Sequence, residues 1–253
     1  MNNLSVIIPS KNAVNLVACV RAVRQFEPGL RIIVVDDGVD WTRYVDLIPD
    51  QVQNIIDNAV AGTKPFIFAR NANVGIKAAG KDDVILLNDD ALLKTPVGFS
   101  MMQRALRELP DFGVMTSTSN NVGNPAQQPR NMLVGAPDLL RIEVREEPRT
   151  LCFVCVLIPR ATYNLVGPLD ERFVGYGLDD DDYCLRVRNA GLKLGIFDGC
   201  YVDHGSLTSS FRGAAGAGGD FSGNMRLFID KWGVDNWGQP RTRSQFRHLF
   251  PPS

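Results

Sequence analysis

Four consecutive aspartates, Asp179 to Asp182, follow the segment Phe173-Val-Gly-Tyr-Gly-Leu178. Adjacent like charges repel and cost stability, so a block of this kind suits handling of a metal, a proton or a polar ligand. One of these carboxylates is expected to act as a general base. Three further polar clusters, Pro9-Ser-Lys11, Asp36-Asp37 and Asn88-Asp-Asp90, each end a short apolar run. Acidic groups facing a ligand suit a metal ion or a hydrogen-bond donor, and they repel a bare phosphate unless a divalent cation intervenes. The chain has no G-x-x-x-x-G-K-[ST] run, and its first apolar run is not followed by G-x-G-x-x-G, which excludes a P-loop and a dinucleotide fingerprint. His204, one of only two histidines, follows an apolar run and precedes a glycine-rich stretch, a placement that suits a ligand.

The elements that would position these residues alternate between strand and helix. Strands are expected at 4–9, 31–35, 64–68 and 84–87, and helices at 14–26, 71–80 and 97–108. Such alternation predicts a doubly wound α/β sheet, whose ligand crevice lies outside the carboxyl ends of the strands. Pro9-Ser10, Asp36-Asp37 and Asn88-Asp-Asp90 should therefore converge. A strand over 113–116 leads to a long loop, 117–137, rich in Ser, Asn, Gly, Pro and Gln. Beyond it come an apolar strand over 151–158, a short helix at 161–165, a helix from the aspartates to Asn189, strands at 194–197 and 201–202, and a helix at 224–232. The glycine-rich 205–223 segment is a candidate lid, because so many glycines make a single conformation entropically costly.

With 253 residues, 45% of them hydrophobic, the chain can bury a substantial core. Its 27 basic and 28 acidic side chains nearly cancel, so the molecule as a whole has no electrostatic preference for nucleic acid or anionic membrane. The segment before Pro9 is too short and lacks the basic residues of a signal peptide, and no transmembrane segment is expected. Five cysteines in apolar surroundings fit a reducing compartment, so a soluble, cytoplasmic protein is expected. Cys152-Phe-Val-Cys155 has no second C-x-x-C to complete a zinc site, and core packing is its expected role.

The ordered set Val6-Ile-Ile-Pro-Ser-Lys-Asn12, Val34-Val-Asp-Asp-Gly38, Arg70-Asn-Ala-Asn-Val-Gly75 and Leu86-Leu-Asn-Asp-Asp90 resembles the successive nucleotide-binding signatures of the family 2 glycosyltransferases. Gly167-Pro-Leu-Asp-Glu-Arg-Phe173, the aspartate block, Gly191, His204 and Lys231-Trp-Gly233 continue the resemblance to about residue 235. It implies a GT-A fold, with a Rossmann-like mixed central sheet and helices on both faces. It also implies one catalytic domain over 1–235, with a nucleotide-sugar half at 1–116 and an acceptor half at 117–235, before a basic tail at 236–253.

On the donor side, the resemblance implies that Pro9 and Ser10 border the base, and that Asp36 accepts a hydrogen bond from it. Asp37, Arg70, Asn73, Asn88 and Asp89 are the other donor contacts it implies. Asn88 replaces the first aspartate of the metal-binding D-x-D, so Asp90 is the implied metal ligand, completed by His204, for Mn2+ or Mg2+. The Gly175-to-Asp182 segment is similar to the W-G-W-G-G-E-D-D-D motif of the β-1,4-galactosyltransferases, which implies Asp180 as base and Tyr176, Asp179 and Asp181 as acceptor contacts. Asp182 is expected to be structural, and Trp232 to be a core aromatic more than a sugar platform.

The implied activity is an inverting, metal-dependent transfer from a nucleotide-diphosphate sugar, such as a UDP-sugar, to a hydroxyl. The alternatives are a sugar-phosphate nucleotidyltransferase and a non-catalytic nucleotide-sugar-binding module. The acceptor, whether glycan, glycolipid, protein or modified nucleic acid, is not legible. The Arg241 to His248 stretch offers a basic patch for peripheral contact with a lipid phosphate, nucleic acid or polysaccharide anion.

Overall fold

A computed structural model of the chain describes residues 3–42, 52, 54–57, 66–130, 132–133, 136–137, 143–175, 177–209 and 221–233. The first strand, β1 (Leu4–Ser10), is buried along its whole length, and its neighbours explain why. It pairs in parallel with β2 (Arg31–Asp36) on one side and with β4 (Asp83–Leu87) on the other. Outside β2 lies the short parallel strand β3 (Asn54–Asp57). Alternate residues of these strands point to opposite faces. Val6 and Ile8 join a core with α1 (Ala13–Phe26) and α3 (Gly98–Glu108), whereas Ile7 joins a core with α2 (Phe68–Ala78). Burial on both faces is why these strands read as continuous apolar runs.

The sheet then turns mixed. After β5 (Leu92–Leu93) and β6 (Phe112–Ser119), a two-stranded ribbon forms from β7 (Met132–Leu133) and β8 (Ala136–Pro137). The later strands β9 (Val144–Glu146), β10 (Cys155–Ile158) and β11 (Lys193–Asp203) complete a nine-stranded sheet among the described residues. Its order is β3-β2-β1-β4-β10-β6-β11-β5, with β9 on β11. Strand β10 is antiparallel to both β4 and β6, and β11 is parallel to β6. Helices α4 (Arg160–Val166), α5 (Asp179–Asn189) and α6 (Phe221–Trp232) complete the order. The expected mixed α/β architecture with helices on both faces is present, and no described helix is long and apolar enough to cross a membrane.

Two devices fix the helices next to the site. The Asn12 side chain accepts from the N–H groups of Val14 and Asn15, capping α1 immediately after β1 ends. Helix α2 approaches β1 so closely at Gly75 that a Cβ there would lie 2.3 Å from Ile7 Cγ2, so only glycine fits.

Several expected elements differ. Of the strand expected at 64–68, residues 64 and 65 lie outside the described residues, Phe66 and Ile67 lie outside any strand and Phe68 opens α2; the strand beside β2 is Asn54–Asp57. Strand β6 runs on to Ser119, into what was expected to be loop, because 117–119 pair with β11. The strand expected from Leu151 starts at Cys155, and the two expected strands at 194–197 and 201–202 are one, with register shifts. Most of the glycine-rich segment and the basic tail lie outside the described residues.

Candidate active site

The carboxyl ends of β1, β2 and β4 open on the same edge of the sheet. There Pro9, Asn88, Asp89 and Asp90 line a cavity of about 280 Å3, which Leu178, Asp179, Asp180 and Asp181 also line. His204, Cys152, Phe153, Arg149 and Phe221 also line it. Seven of the expected site residues other than Pro9 thus meet in one space: Asn88, Asp89, Asp90, Asp179, Asp180, Asp181 and His204.

Asp90 and His204 are buried and face each other, with His204 Nε2 3.2 Å from Asp90 Oδ1. The other ring nitrogen, Nδ1, lies 2.9 Å from the Asn121 carbonyl oxygen. A carbonyl only accepts, so Nδ1 carries the proton, and a neutral ring then turns the Nε2 lone pair toward the Asp90 carboxylate. Two acceptors in contact call for a positive charge, either a proton on the ring or a cation. A backbone carbonyl that fixes the ring tautomer is also the usual companion of a metal-binding histidine. The pair therefore fits a divalent cation as one nitrogen and one carboxylate ligand. No group of three or more His, Cys, Asp or Glu that could hold a metal occurs among the described residues, so any remaining ligands would come from a bound substrate or water.

Asp89 is buried beside this pair and accepts a 2.6 Å hydrogen bond from the Ser10 hydroxyl. Burial pushes its carboxyl up to about 7, against the pull of that hydrogen bond, and the Asp90 charge adds to the rise. Ser10 is not a lining residue; it braces one from behind.

The four aspartates occupy the first turn of α5, where free N–H groups and the helix dipole favour negative charge. Asp180 Oδ2 accepts from the Phe153 N–H at 3.3 Å and Oδ1 from the Asp181 N–H at 3.0 Å. Burial raises the Asp180 carboxyl above the ordinary range, partly offset by these backbone donors. Asp179 is raised by burial and then by the Asp180 charge. Asp182 differs: it is fully buried, and its oxygens accept from Arg186, Lys231 and the Trp232 indole. Both Asp182 and Trp232 thus have structural partners, as expected.

Four of the donor-side residues, Asp36, Asp37, Arg70 and Asn73, do not line the cavity. Asp36 spends Oδ1 on the N–H groups of Gly38 and Val39 and Oδ2 on the Trp41 indole, so it shapes the loop after β2. Asp37 accepts from Asn71 Nδ2 at 2.6 Å and pairs with Arg70 at 3.3 Å, which ties the start of α2 to the end of β2. Neither these two carboxylates nor Arg70 lines the cavity. Asn73 lies away from it, exchanging hydrogen bonds with the Leu169 backbone and reaching Glu171. Its amide is committed to holding the loop before the aspartates against α2. Tyr176 lies outside the described residues.

Sequence reasoning missed Asn121, Phe153 and Cys152. Asn121 and Phe153 act through backbone atoms, which no side-chain pattern reveals. Cys152 was expected in the core, but its strand begins only at Cys155, leaving Cys152 half-buried at the cavity.

Comparison with known proteins gives a family and a fold. The model of Glycosyl transferase family 2 matches residues 5–162. A curated protein of Sinorhizobium fredii, "Uncharacterized protein y4gI", is 24% identical over 212 residues, covering 74% of this chain. The chain spans about a quarter of that relative, 23% of its length. Among solved structures, GalNAc-T7 with UDP, GalNAc and Mn2+ superposes with a TM-score of 0.68 at 13% identity, over 92% of this chain and 48% of that one. S. aureus TarS 1-349 in complex with UDP-GlcNAc superposes with a TM-score of 0.61 at 13% identity, over 98% of this chain and 70% of that one. At this identity the likeness is one of fold.

Proposed function

The chain belongs to glycosyl transferase family 2, and from that premise we propose that it moves a sugar from a UDP-sugar to an acceptor hydroxyl, with inversion at the anomeric carbon. One observation carries the reading: Asp180 and the Asp90–His204 pair wall the same cavity. A base and a cation-holding pair thus face one ligand-sized space. The UDP-bearing structures of GalNAc-T7 and TarS, which share the fold, support the choice of donor.

Asp180 takes the proton of the acceptor hydroxyl as that oxygen attacks the anomeric carbon. Two backbone N–H groups hold its carboxylate in place, and burial raises its proton affinity toward the range useful to a general base. A single displacement with one base inverts the configuration. Asp179 and Asp181, in the same helical turn, hold acceptor hydroxyls, and Tyr176 belongs to this side by the galactosyltransferase-like motif. Pro9, Asn88 and Asp89 form the donor wall, with Ser10 fixing the Asp89 carboxylate. Asp37 ties this wall to the loop after β2, its N–H donating to the Ser10 carbonyl and its carboxylate holding Arg70.

A divalent cation, Mn2+ or Mg2+, bound by Asp90 and His204 would stabilise negative charge on the departing diphosphate. The Mn2+ in the GalNAc-T7 structure supports this part of the proposal. Five unpaired cysteines support a reducing, cytoplasmic location.

The test is direct. Purified protein with Mn2+ and a panel of nucleotide sugars should release the nucleoside diphosphate, and Asp180→Asn should abolish transfer while donor binding persists. Wild-type turnover by that variant would sink the base assignment.

A further inference from the structure

We infer that Phe221 is the platform on which an acceptor sugar ring stacks, so that the acceptor of the transfer proposed above is a carbohydrate with an apolar ring face. The inference rests on that transferase reading and adds the chemical class of the second substrate.

Among the described residues, four large apolar side chains are exposed: Val14, Val97, Leu165 and Phe221. Only Phe221 is aromatic, and only Phe221 lines the cavity. It is 41% exposed at the first position of α6, a helix otherwise firmly anchored. Phe228 and Ile229 are buried, and the Trp232 indole donates to Asp182. Asn224 accepts from the Val174 N–H and donates to the Gly177 carbonyl, locking α6 onto the loop that leads to the aspartates. The helix therefore has its core contacts without Phe221, whose ring is left facing the cavity.

Gly177 keeps that ring uncovered. Its φ of +84° is one that side chains rarely adopt, and a Cβ there would touch the Phe221 ring at 3.5 Å. The ring thus stands beside Gly177, two residues before Asp179 in the loop that leads into the proposed acceptor contacts.

An aromatic face beside carboxylates matches one kind of ligand well. A pyranose presents hydroxyls around its rim, which donate to carboxylates, and a patch of C–H groups on its face, which packs on an aromatic ring. A serine or a simple lipid alcohol presents the hydroxyl without the apolar ring face.

The experiment uses the full chain with UDP and Mn2+, and methyl glycosides of glucose, galactose, N-acetylglucosamine and N-acetylgalactosamine as probes. Saturation-transfer NMR should show at least one probe bound through its ring C–H protons. Phe221→Ala and Phe221→Leu should each weaken that binding roughly tenfold, and Phe221→Trp should retain it. The Leu variant keeps apolar bulk without an aromatic face, so it reads the stacking even if the Ala variant folds poorly. UDP affinity, measured by calorimetry, should be the same in all variants. The inference is overturned if no methyl glycoside binds the wild type, if Phe221→Leu binds as well as wild type, or if loss of the ring weakens UDP instead. Failure of the transferase reading would look different: the wild type would neither bind UDP nor release it from a nucleotide sugar.

Discussion

His204 Nε2 lies 3.2 Å from Asp90 Oδ1, while the Asn121 carbonyl holds Nδ1 at 2.9 Å. The backbone thus fixes which nitrogen is protonated, and the second nitrogen meets a carboxylate in a buried place where positive charge is wanted. Removing either partner leaves the other without its complement.

Metal response follows from that pair. His204→Ala should raise the Mn2+ concentration needed for half-maximal stabilisation by UDP by at least about 10- to 100-fold, the scale on which even the loss of an outer-shell partner weakens a metal site. Thermal shift over a Mn2+ titration at fixed UDP measures it, since ligand that binds only the folded state raises the melting temperature. An unchanged Mn2+ response would place the cation elsewhere.

The pH dependence of turnover follows from the aspartate turn. Asp180 must be ionised to act as a base, and burial raises its carboxyl. Activity should therefore fall on the acid side at a pH above the ordinary aspartate value of about 4. Asp179→Asn removes a neighbouring negative charge and should move this acid limb to lower pH. The measurement is kcat/KM against pH for both proteins, and coincident limbs would contradict the coupling.

Stability should move the opposite way. Asp179 is raised in the folded state by burial and by Asp180, so between its unfolded value of about 4 and its raised folded value the native state binds more protons. Stability contributed by this group is thus lost as pH rises through that window. Asp179→Asn should melt higher than wild type near pH 8, and the gain should shrink as pH falls toward 4. Melting curves at the two pH values test the sign, and a gain that grew on acidification would refute it.

Particular residues show how far the sequence could be read. The apolar strands β1, β2 and β4 are legible in the chain, and two of the three polar strand ends, at Pro9 and at Asn88 to Asp90, meet at the cavity. Strand β3 was missed because Asn54-Ile-Ile-Asp57 offers only two apolar residues, whereas Phe66-Ile-Phe68 imitates a strand but leads into α2, which begins at Phe68. The aspartates were legible as chemistry by type. Their roles were less so, because Asp182 draws Lys231 and Trp232 from fifty residues later and Asp180 is held by a backbone N–H at Phe153. The partners of Asp36, the Trp41 indole and the N–H groups of its own loop, were not legible either, because they depend on how the chain turns after β2.

The contact between α2 and β1 gives a packing prediction. Gly75→Ala would bring a methyl group to 2.3 Å from Ile7 Cγ2, with Val35 Cγ2 at 3.1 Å on the other side. Ile7 and Val35 are fully buried, so neither can swing into solvent. Overpacking of this kind costs about 1–3 kcal/mol, which a shift in the urea midpoint would report. A variant as stable as wild type would mean that α2 can move away from the sheet.

Asp182 supplies the largest expected loss. Its carboxylate is fully buried and accepts from Arg186 Nε at 3.0 Å, Lys231 Nζ at 2.6 Å and Trp232 Nε1 at 2.9 Å. Lys231 is also shared with Asp170, whose carboxyl is held well below the usual range by Arg172 and then by Lys231. Asp182→Ala deletes the acceptor common to α5 and α6 and leaves two cations and an indole N–H facing a void. Breaking a buried ionic group from one side costs about 3–5 kcal/mol, because the remaining charge keeps its desolvation penalty. Trp232→Phe removes a single hydrogen bond to a charged group, a loss of about 1.5–3 kcal/mol. Urea unfolding should therefore rank wild type above Trp232→Phe and Trp232→Phe above Asp182→Ala. The double variant should fall short of the summed losses, since without Asp182 the indole has no partner left to lose. Strict additivity would show that the two side chains act independently, and that α6 is held to α5 by its apolar contacts alone.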